Sequence, residues 1–520
     1  MHRHVSGQRR VSFDRLLAGS YWSWRSNPAL SVPAMLNGSV SVLGQSVLGI
    51  FGIALVVRLE GSGTLSGLVA MVAGGRYAEA ARLALSPPVF SIILAYAVPA
   101  VAASLVVSVL AMGFALSSEY GSYQLVLKGG RVGVAEVMGK LRERWRAMAW
   151  THLLSSAIWL LPTLLPLTLL LALLYYGLPG VALTTLLLLA GLALSAVLSL
   201  MLIYSEVVVF FEGVSGLSAI SASMARVRRN KGIALTYALV DVFLSGLILS
   251  LVSLVPGANL PLSSLASVGV GLVLTPVLHL TKTSIYVETQ KQGGEPFELR
   301  PSVLKDMAGP LVRFLWSRFR AGLAELWSYV SDPANLKYHA AAAAAMVLGT
   351  GAGIAVGDGG LAQGLLQGGY APGRINPLVA NSVPFSLGFY IFLHNWQVSM
   401  ATALSGVWFS VAPLTELMLN GVILGIAYTL TPNFTMFAAA IFPHGVLEIP
   451  SFVLAGSAGI RLGVWFWRSA RSDDPGSTVR FYAVARQSVY IVVGLALLFL
   501  VAGFIEGNVT PIIMRMYGWS

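Results

Sequence analysis

The chain has 520 residues, of which 56% are hydrophobic and 10% charged, with a formal net charge of +12 and no cysteine. So low a charged fraction, against roughly 25% in soluble domains, excludes a soluble globular protein and predicts a polytopic membrane protein. The absence of cysteine excludes disulfides, thiolate nucleophiles and cysteine-ligated metal sites. The basic residues lie in short connectors between apolar runs, as the positive-inside rule requires, so we expect no nucleic-acid partner.

The first half of the sequence predicts an interfacial amino terminus followed by a membrane domain. Residues 1–32 combine arginines with the aromatic segment Tyr21–Trp24, which is typical of the cytoplasmic membrane interface. Residues 61–87 are too polar to span and predict a short helix or a re-entrant piece. We expect a membrane domain of about six helices at 33–282. Apolar runs long enough to cross the bilayer predict its spans near 33–57, 88–116, 151–177, 179–206, 233–255 and 260–281.

The second half begins after a polar stretch, residues 283–338, which predicts a cytoplasmic helical linker with a helix from Pro310 to Val330. A re-entrant hairpin at 397–432 is an alternative to two of the spans that follow. The chain is therefore predicted to be an all-α, polytopic membrane helix bundle of about eleven transmembrane helices in two halves, the second being a domain of about five helices at 339–520. Its spans are predicted near 339–357, 397–413, 416–432, 437–460 and 488–506.

Charge bias along the connectors predicts the orientation of the chain. Connectors rich in Lys and Arg alternate with connectors that carry few of them, and the two sets fall on opposite sides of the predicted spans. We therefore expect a cell-membrane protein with a cytoplasmic amino terminus and a carboxyl terminus outside.

One apolar span carries two ionisable side chains, His444 and Glu448, that a lipid-facing helix would not hold. A spacing of four residues puts both on one helix face, about 6 Å apart along the axis. A charge at membrane depth costs about 2.5–3.5 kcal/mol on insertion scales, so the pair predicts a protein interior or a watery cavity. Glu506 ends the last span toward the same side. We expect these three residues to line an outward-facing cavity, with Asn395 and Asn420 as further polar candidates.

A structural interpretation of the same residues stays open beside the functional one. His444 and Glu448 can form a buried hydrogen-bonded pair that only fixes helix packing, and Glu506 can lie at the membrane interface. No His-Glu-x-x-His pattern and no Walker pattern occurs in the sequence, and a lone His444 with Glu448 is a poor zinc site. The glycine run Gly349–Gly353 lies in an alanine-rich segment, which indicates helix packing. We therefore predict no catalytic residue, no cofactor and no metal ligand.

Four motifs lie within the second half of the chain. They are Asn420-Gly-Val-Ile-Leu-Gly425, Pro443-His-Gly-Val-Leu-Glu-Ile-Pro450, Ala455-Gly-Ser-Ala-Gly-Ile-Arg-Leu-Gly463 and Phe504-Ile-Glu-Gly-Asn-Val-Thr-Pro511. Together they resemble the signature of the stage II sporulation protein M (SpoIIM-like) integral membrane family, over roughly residues 330–520. His394-Asn395-Trp396 departs from the paired asparagines of that family. The residues that carry the resemblance are Pro443, Gly445, Pro450, Gly456, Gly459, Arg461, Gly463, Thr510 and Pro511.

The resemblance implies a non-enzymatic integral membrane component that organises or recruits other membrane or envelope proteins in a cell-envelope or membrane-remodelling assembly. The alternative is a permease or channel subunit that uses the outward-facing polar cavity around His444, Glu448 and Glu506. Glycine- and alanine-rich helix faces permit a homo-oligomer within the lipid bilayer. The first half more faintly resembles the membrane regions found beside glycerophosphodiester phosphodiesterases, which implies a common architecture and no chemistry.

Overall fold

The computed structural model describes residues 13–174, 178–253, 270–290, 305–361, 364, 384–408, 410–471 and 475–519. Within these residues the secondary structure is helical, and nine helices are long and apolar enough to cross a membrane. The predicted all-α polytopic bundle is therefore confirmed, and the chain is a multi-pass membrane protein in contact with the lipid bilayer. The predicted spans 233–255 and 260–281 extend into residues 254–269, which lie outside the described residues.

The helices before the linker alternate long apolar segments with short surface segments. The longest, with 41 residues, has Pro99 inside it. Residues 61–87 form two short helices, in agreement with the prediction of a polar, non-spanning piece. In chain order the helices are α1 (Phe13–Ser26), α2 (Val32–Gly61), α3 (Leu65–Ala73), α4 (Tyr77–Ala84), α5 (Pro87–Leu127), α6 (Val134–Gly139), α7 (Trp145–Leu174), α8 (Leu178–Met201), α9 (Ser205–Phe211), α10 (Leu217–Arg229), α11 (Lys231–Ser253) and α12 (Thr275–Gln290).

The helices of the second half begin with the predicted linker helix, which is confirmed with slightly wider bounds. They are α13 (Lys305–Ser331), α14 (Leu336–Val356), α15 (Pro384–Leu404), α16 (Val411–Thr429), α17 (Phe434–Arg471), α18 (Pro475–Phe504) and α19 (Thr510–Met516). π-Helical turns occur at Val270–Leu274, Gly357–Leu361 and Ile505–Val509.

The predicted span 397–413 has the wrong bounds, because α15 starts earlier and ends at Leu404. A 3₁₀ turn follows, and Ser410 has a φ of 64°, a left-handed conformation that ends any regular helix there. α17 approaches closely at this break, since a Cβ added at Gly406 would overlap the carbonyl oxygen of Gly459. Apolar composition extends through this break and therefore hides it from a hydropathy profile.

The fold comprises two compact units. The first takes in the described residues within Met1–Asn37, Val109–Ile248 and Gly269–Val303, and the second those within Gly38–Ser108, Leu249–Val268 and Leu304–Ser520. Residues 38–108 thus group with the second half of the sequence. The domain bounds 1–32, 33–282, 283–338 and 339–520 remain a sequence prediction.

The first unit contains a buried charged network centred on Glu119, which is only 2% exposed. His279 Nδ1 lies 2.5 Å from the Glu119 carboxylate, Tyr123 donates to it at 3.1 Å, and Asn37 Nδ2 donates at 3.3 Å. The buried Lys282 adds a favourable charge interaction. Because the Glu119 carboxylate has partners on α12, the network holds α5 and α12 together at the cost of desolvating both charges.

A second acidic residue of this unit, Glu212, lies just beyond the span that ends at Phe211. Burial alone would raise the pKa of its carboxyl. Hydrogen bonds from the Tyr286 hydroxyl, from Arg226 at 3.0 Å and from Gln290 at 2.9 Å outweigh burial and hold the pKa below its ordinary value. The carboxylate therefore links α10 to α12 in its ionised form.

The second unit is built around a close crossing of α14 and α16. A Cβ added at Gly349 would overlap the carbonyl oxygen of Met418, and one added at Gly421 would overlap that of Met346. Gly353 and Gly425 make the equivalent contacts farther along the same crossing. Backbones this close gain dispersion contacts that larger side chains would prevent. The predicted packing role of the Gly349–Gly353 run fits this crossing.

Part of α2 also packs in the second unit. Trp408 Nε1 donates to Ser39 Oγ at 3.1 Å, and Ser46 Oγ donates to the Glu416 carboxylate at 3.1 Å. A Cβ at Gly49 would meet the side chain of Leu419 at 2.8 Å. These contacts give Glu416, a carboxylate within a span, a hydrogen-bonding partner inside the protein.

Candidate functional site

His444 and Glu448 lie one turn apart on α17, between two prolines of the same helix, Pro443 and Pro450. A proline has no N–H, so the helical hydrogen bonds to the carbonyl oxygens of Ala439 and Val446 are lost. The helix nevertheless continues from Phe434 to Arg471. This part of α17 therefore combines two ionisable side chains with carbonyl groups released from the helical ladder.

Glu506 lies in the π-helical turn Ile505–Val509, directly between α18 and α19. A π-turn adds a residue to the helical repeat and turns the following side chains to a new direction, and such turns are frequent at functional sites. Asn508 Nδ2 donates to the Phe504 carbonyl at 2.8 Å and supports the turn. The Glu506 carboxyl group therefore lies in an irregular turn of the backbone, directly after the end of α18.

The structure brings these three side chains together. One ligand-type atom from each of His444, Glu448 and Glu506 lies within 4.8 Å of the other two. All three residues are half-buried. His444 Nδ1 lies 3.2 Å from Oγ1 of Thr510, which is 3% exposed. The Pro443–Pro450 motif and the Phe504–Pro511 motif, which are far apart in sequence, therefore meet at one place. We call His444, Glu448 and Glu506 the polar triad.

The polar triad has two carboxyl groups and one imidazole, so its negative charges are not fully compensated within the triad. Two carboxylates lie close together at membrane depth, where low dielectric strengthens their repulsion. The Oε2 atom of Glu448 is buried and has no hydrogen-bond partner in the described part of the chain. A buried acceptor without a donor costs about 1–3 kcal/mol. The triad therefore favours an additional positive charge, which a proton or a cation can supply.

The other two candidate residues, Asn395 and Asn420, have different surroundings. Asn420 Nδ2 donates to the carbonyl oxygen of Glu416 within α16 at 2.8 Å. Asn395 is half-buried on α15, next to Trp396, whose Nε1 donates to the carbonyl oxygen of Val492 at 2.9 Å. Over the described ranges, no hydrogen bond joins either asparagine to the polar triad. Their role as site residues stays a prediction.

The Ala455–Gly463 motif lies farther along α17, toward its basic end. Arg461 donates to Gln487 Oε1 at 2.6 Å and lies 5.3 Å from the centre of the Tyr329 ring. Ser457 Oγ is 2.7 Å from the Tyr329 hydroxyl and 2.8 Å from His339 Nδ1. This motif therefore joins α17 to α13, α14 and α18 through hydrogen bonds. Its glycines, Gly456, Gly459 and Gly463, pack against residues 402–417.

Sequence reasoning missed two features of the polar residues. Thr510 is a motif residue, but nothing in the sequence indicates that its hydroxyl meets His444. The network around Glu119 was missed although His279 stands out in its span, because the spacing of 160 residues between them carries no periodic signal. Glu119 follows two serines and precedes Tyr120, and this polar run at the end of an apolar segment was the available clue.

Comparison with known proteins locates the family resemblance. The model of the family described as SpoIIM, Stage II sporulation protein M, matches residues 340–511. No curated protein and no solved structure matches the chain. These comparisons give no support to the resemblance of the first half to regions beside glycerophosphodiester phosphodiesterases. Residues 340–511 of this multi-pass membrane protein form a domain of the Stage II sporulation protein M (SpoIIM) family.

Proposed function

We propose that the chain is a non-enzymatic membrane component that organises or recruits other membrane or envelope proteins in a cell-envelope or membrane-remodelling assembly. The observation that carries this proposal is the SpoIIM family domain at 340–511. The glycine contacts between α14 and α16 support it, because they use motif residues to build a rigid helical frame. Large apolar side chains remain exposed on this frame, at Val347 and Ile423, and on α17, at Val446. Such faces fit lipid, partner helices or a second copy of the chain.

The proposed orientation places the amino end of α17 outside and its basic end, with Arg468 and Arg471, in the cytoplasm. The polar triad then lies toward the outer side, because His444 is about 15 Å along the helix from Phe434. A partner outside the cell membrane would meet this end of the domain.

The absence of cysteine from the chain allows a direct test of this proposal. We expect Thr435→Cys, at the exposed start of α17, to react with a membrane-impermeant maleimide in intact cells. A bifunctional form of the reagent should join it to an envelope or membrane protein at a fixed ratio. Arg471→Cys, at the other end of the same helix, is the matched control and should react only after permeabilisation. Mass spectrometry of the joined species distinguishes a partner from a second copy.

The proposed orientation and the proposed function can be contradicted by two different outcomes. If Arg471→Cys reacted in intact cells and Thr435→Cys did not, the proposed orientation would be wrong, but the proposed function would not be contradicted. A chain that migrates alone in native nanodiscs, forms no cross-linked species from either end and transports a solute by itself would overturn the organising role.

A second candidate function is a permease or channel subunit with an outward-facing cavity around the polar triad. The convergence of His444, Glu448 and Glu506 favours it. Helices interrupted by proline or π-turns beside buried carboxylates are typical of ion and substrate sites in transporters. If the chain has this second function, proteoliposomes should show a proton or cation leak that Glu448→Gln reduces to the rate of protein-free vesicles. Glu416→Gln, in another span of the same unit, should keep the leak. A wild-type protein without leak or exchange would exclude this function.

A further inference from the structure

We propose that the polar triad, His444, Glu448 and Glu506, binds a divalent first-row transition-metal ion of the Zn²⁺ or Mn²⁺ class. This goes beyond both functions proposed above, since such an ion can serve an organising protein as well as a transporter. It also departs from the sequence prediction of no metal ligand. That prediction considered ligand patterns within one segment, whereas Glu506 comes from a different helix and only the fold places it beside His444.

The donor atoms of the triad select the class of ion. One imidazole nitrogen with two carboxylate oxygens suits Zn²⁺, Mn²⁺ or Fe²⁺, whereas Mg²⁺ and Ca²⁺ prefer oxygen ligands alone. Two carboxylates and one divalent ion sum to zero charge. A neutral site removes the cost of two adjacent acids at membrane depth, and it gives the buried Glu448 Oε2 the partner that it lacks among the described residues.

The contact between His444 and Thr510 orients the imidazole as a metal ligand requires. Metal-binding histidines almost always use their second ring nitrogen in a hydrogen bond, which fixes the tautomer and the ring plane. Here Nδ1 lies 3.2 Å from the Thr510 hydroxyl oxygen. If an ion binds Nε2, Nδ1 carries the ring proton and donates a hydrogen bond to the hydroxyl oxygen of Thr510. The buried threonine is thus a positioning residue for the site.

The distances in the triad fit closure around an ion. Donor atoms around tetrahedral Zn²⁺ lie about 3.3 Å apart, from bond lengths of about 2.0–2.1 Å. The triad atoms lie within 4.8 Å of one another, and the flexible glutamate side chains can close a gap of about 1.5 Å by small rotations. Three protein ligands leave at least one position open to water or another ligand.

The test uses the full chain without an affinity tag, stripped of metal in detergent and titrated with Zn²⁺ alone. His2 and His4 are replaced by alanine throughout, because the amino-terminal Met1-His-Arg-His segment could bind Zn²⁺ by itself. We expect one Zn²⁺ per chain by equilibrium dialysis with elemental analysis. His444→Gln and the double variant Glu448→Gln/Glu506→Gln should each lose at least about 100-fold in affinity. Co²⁺ in place of Zn²⁺ should give visible absorption bands that the double variant lacks.

Control variants separate the site from other ligands of the same type. Glu416→Gln and His394→Gln alter a half-buried carboxylate and an exposed imidazole elsewhere in the unit, and both should keep the stoichiometry and the affinity. Thr510→Val should weaken binding about 10-fold or more, and Thr510→Ser should restore it. Thr510→Val keeps the proposal falsifiable if the triad variants fail to fold. Zn²⁺ binding that is absent in the folded protein, or unchanged by the triad and Thr510 variants, would overturn the proposal.

Discussion

The Gly349→Val variant is expected to lose most of its folded, monodisperse protein at temperatures that the unaltered chain tolerates. The Cβ alone would overlap the carbonyl oxygen of Met418, so α14 and α16 must separate along their whole crossing. Overpacking of a rigid contact costs about 1–3 kcal/mol or more. The cost lies at the upper end here, because a backbone atom cannot rotate away. The thermal midpoint in detergent, followed by fluorescence-detected size exclusion, measures the effect.

Gly351 supplies the matched control on the same helix. It is exposed, and a Cβ at this position meets no atom within 4 Å. Gly351→Val has the same change in helix propensity and in hydrophobicity, so it isolates the effect of the crossing. We expect its midpoint to stay close to that of the unaltered chain. Equal losses in the two variants would show that valine acts through the helix backbone and that the crossing is not close.

Sequence patterns predicted the polar triad in part, for a physical reason. The spacing of His444 and Glu448 on one helix face follows from the helical repeat, which a sequence displays directly. Placing Glu506 beside them required only that both helix ends face the same side of the membrane. The orientation of His444 by Thr510 depends on the π-turn at Ile505–Val509. An extra residue in a helical repeat leaves no trace in hydropathy, so that contact was not predictable.

The four motifs of the SpoIIM domain divide into two physical classes. The motif at Asn420–Gly425 and the motif at Ala455–Gly463 supply glycines that let helices approach closely, and Asn420 bonds within its own helix. The other two motifs supply the triad and its threonine. The sequence indicates Asn420 as a polar candidate, because an asparagine in a span gives the same pattern whether its side chain bonds to its own helix or to a site. Side-chain partners are a property of the fold.

The first unit offers the second large effect on stability, because Glu119 at the centre of its charged network is buried. Glu119→Ala is expected to destabilise the protein by about 3–5 kcal/mol, the cost of leaving a buried charge without its partner. His279 and Lys282, which is 7% exposed, would lose the Glu119 carboxylate, and Glu206 would remain as the other acid with a charge interaction to both. Glu119→Gln keeps the size and an acceptor oxygen, so it should recover part of the loss.

Glu143 provides the comparison for that measurement, because it pairs with Lys140 in the same unit while its side chain remains 41% exposed. Exposed pairs contribute about 1 kcal/mol or less, so Glu143→Ala should change the unfolding free energy little. Titration with SDS in mixed micelles, followed by tryptophan fluorescence, gives both values on one scale. If Glu119→Ala were as mild as Glu143→Ala, Glu206 or water would have to compensate the charge of Lys282 in the folded state, and Glu119 would not be the stabilising centre of the network.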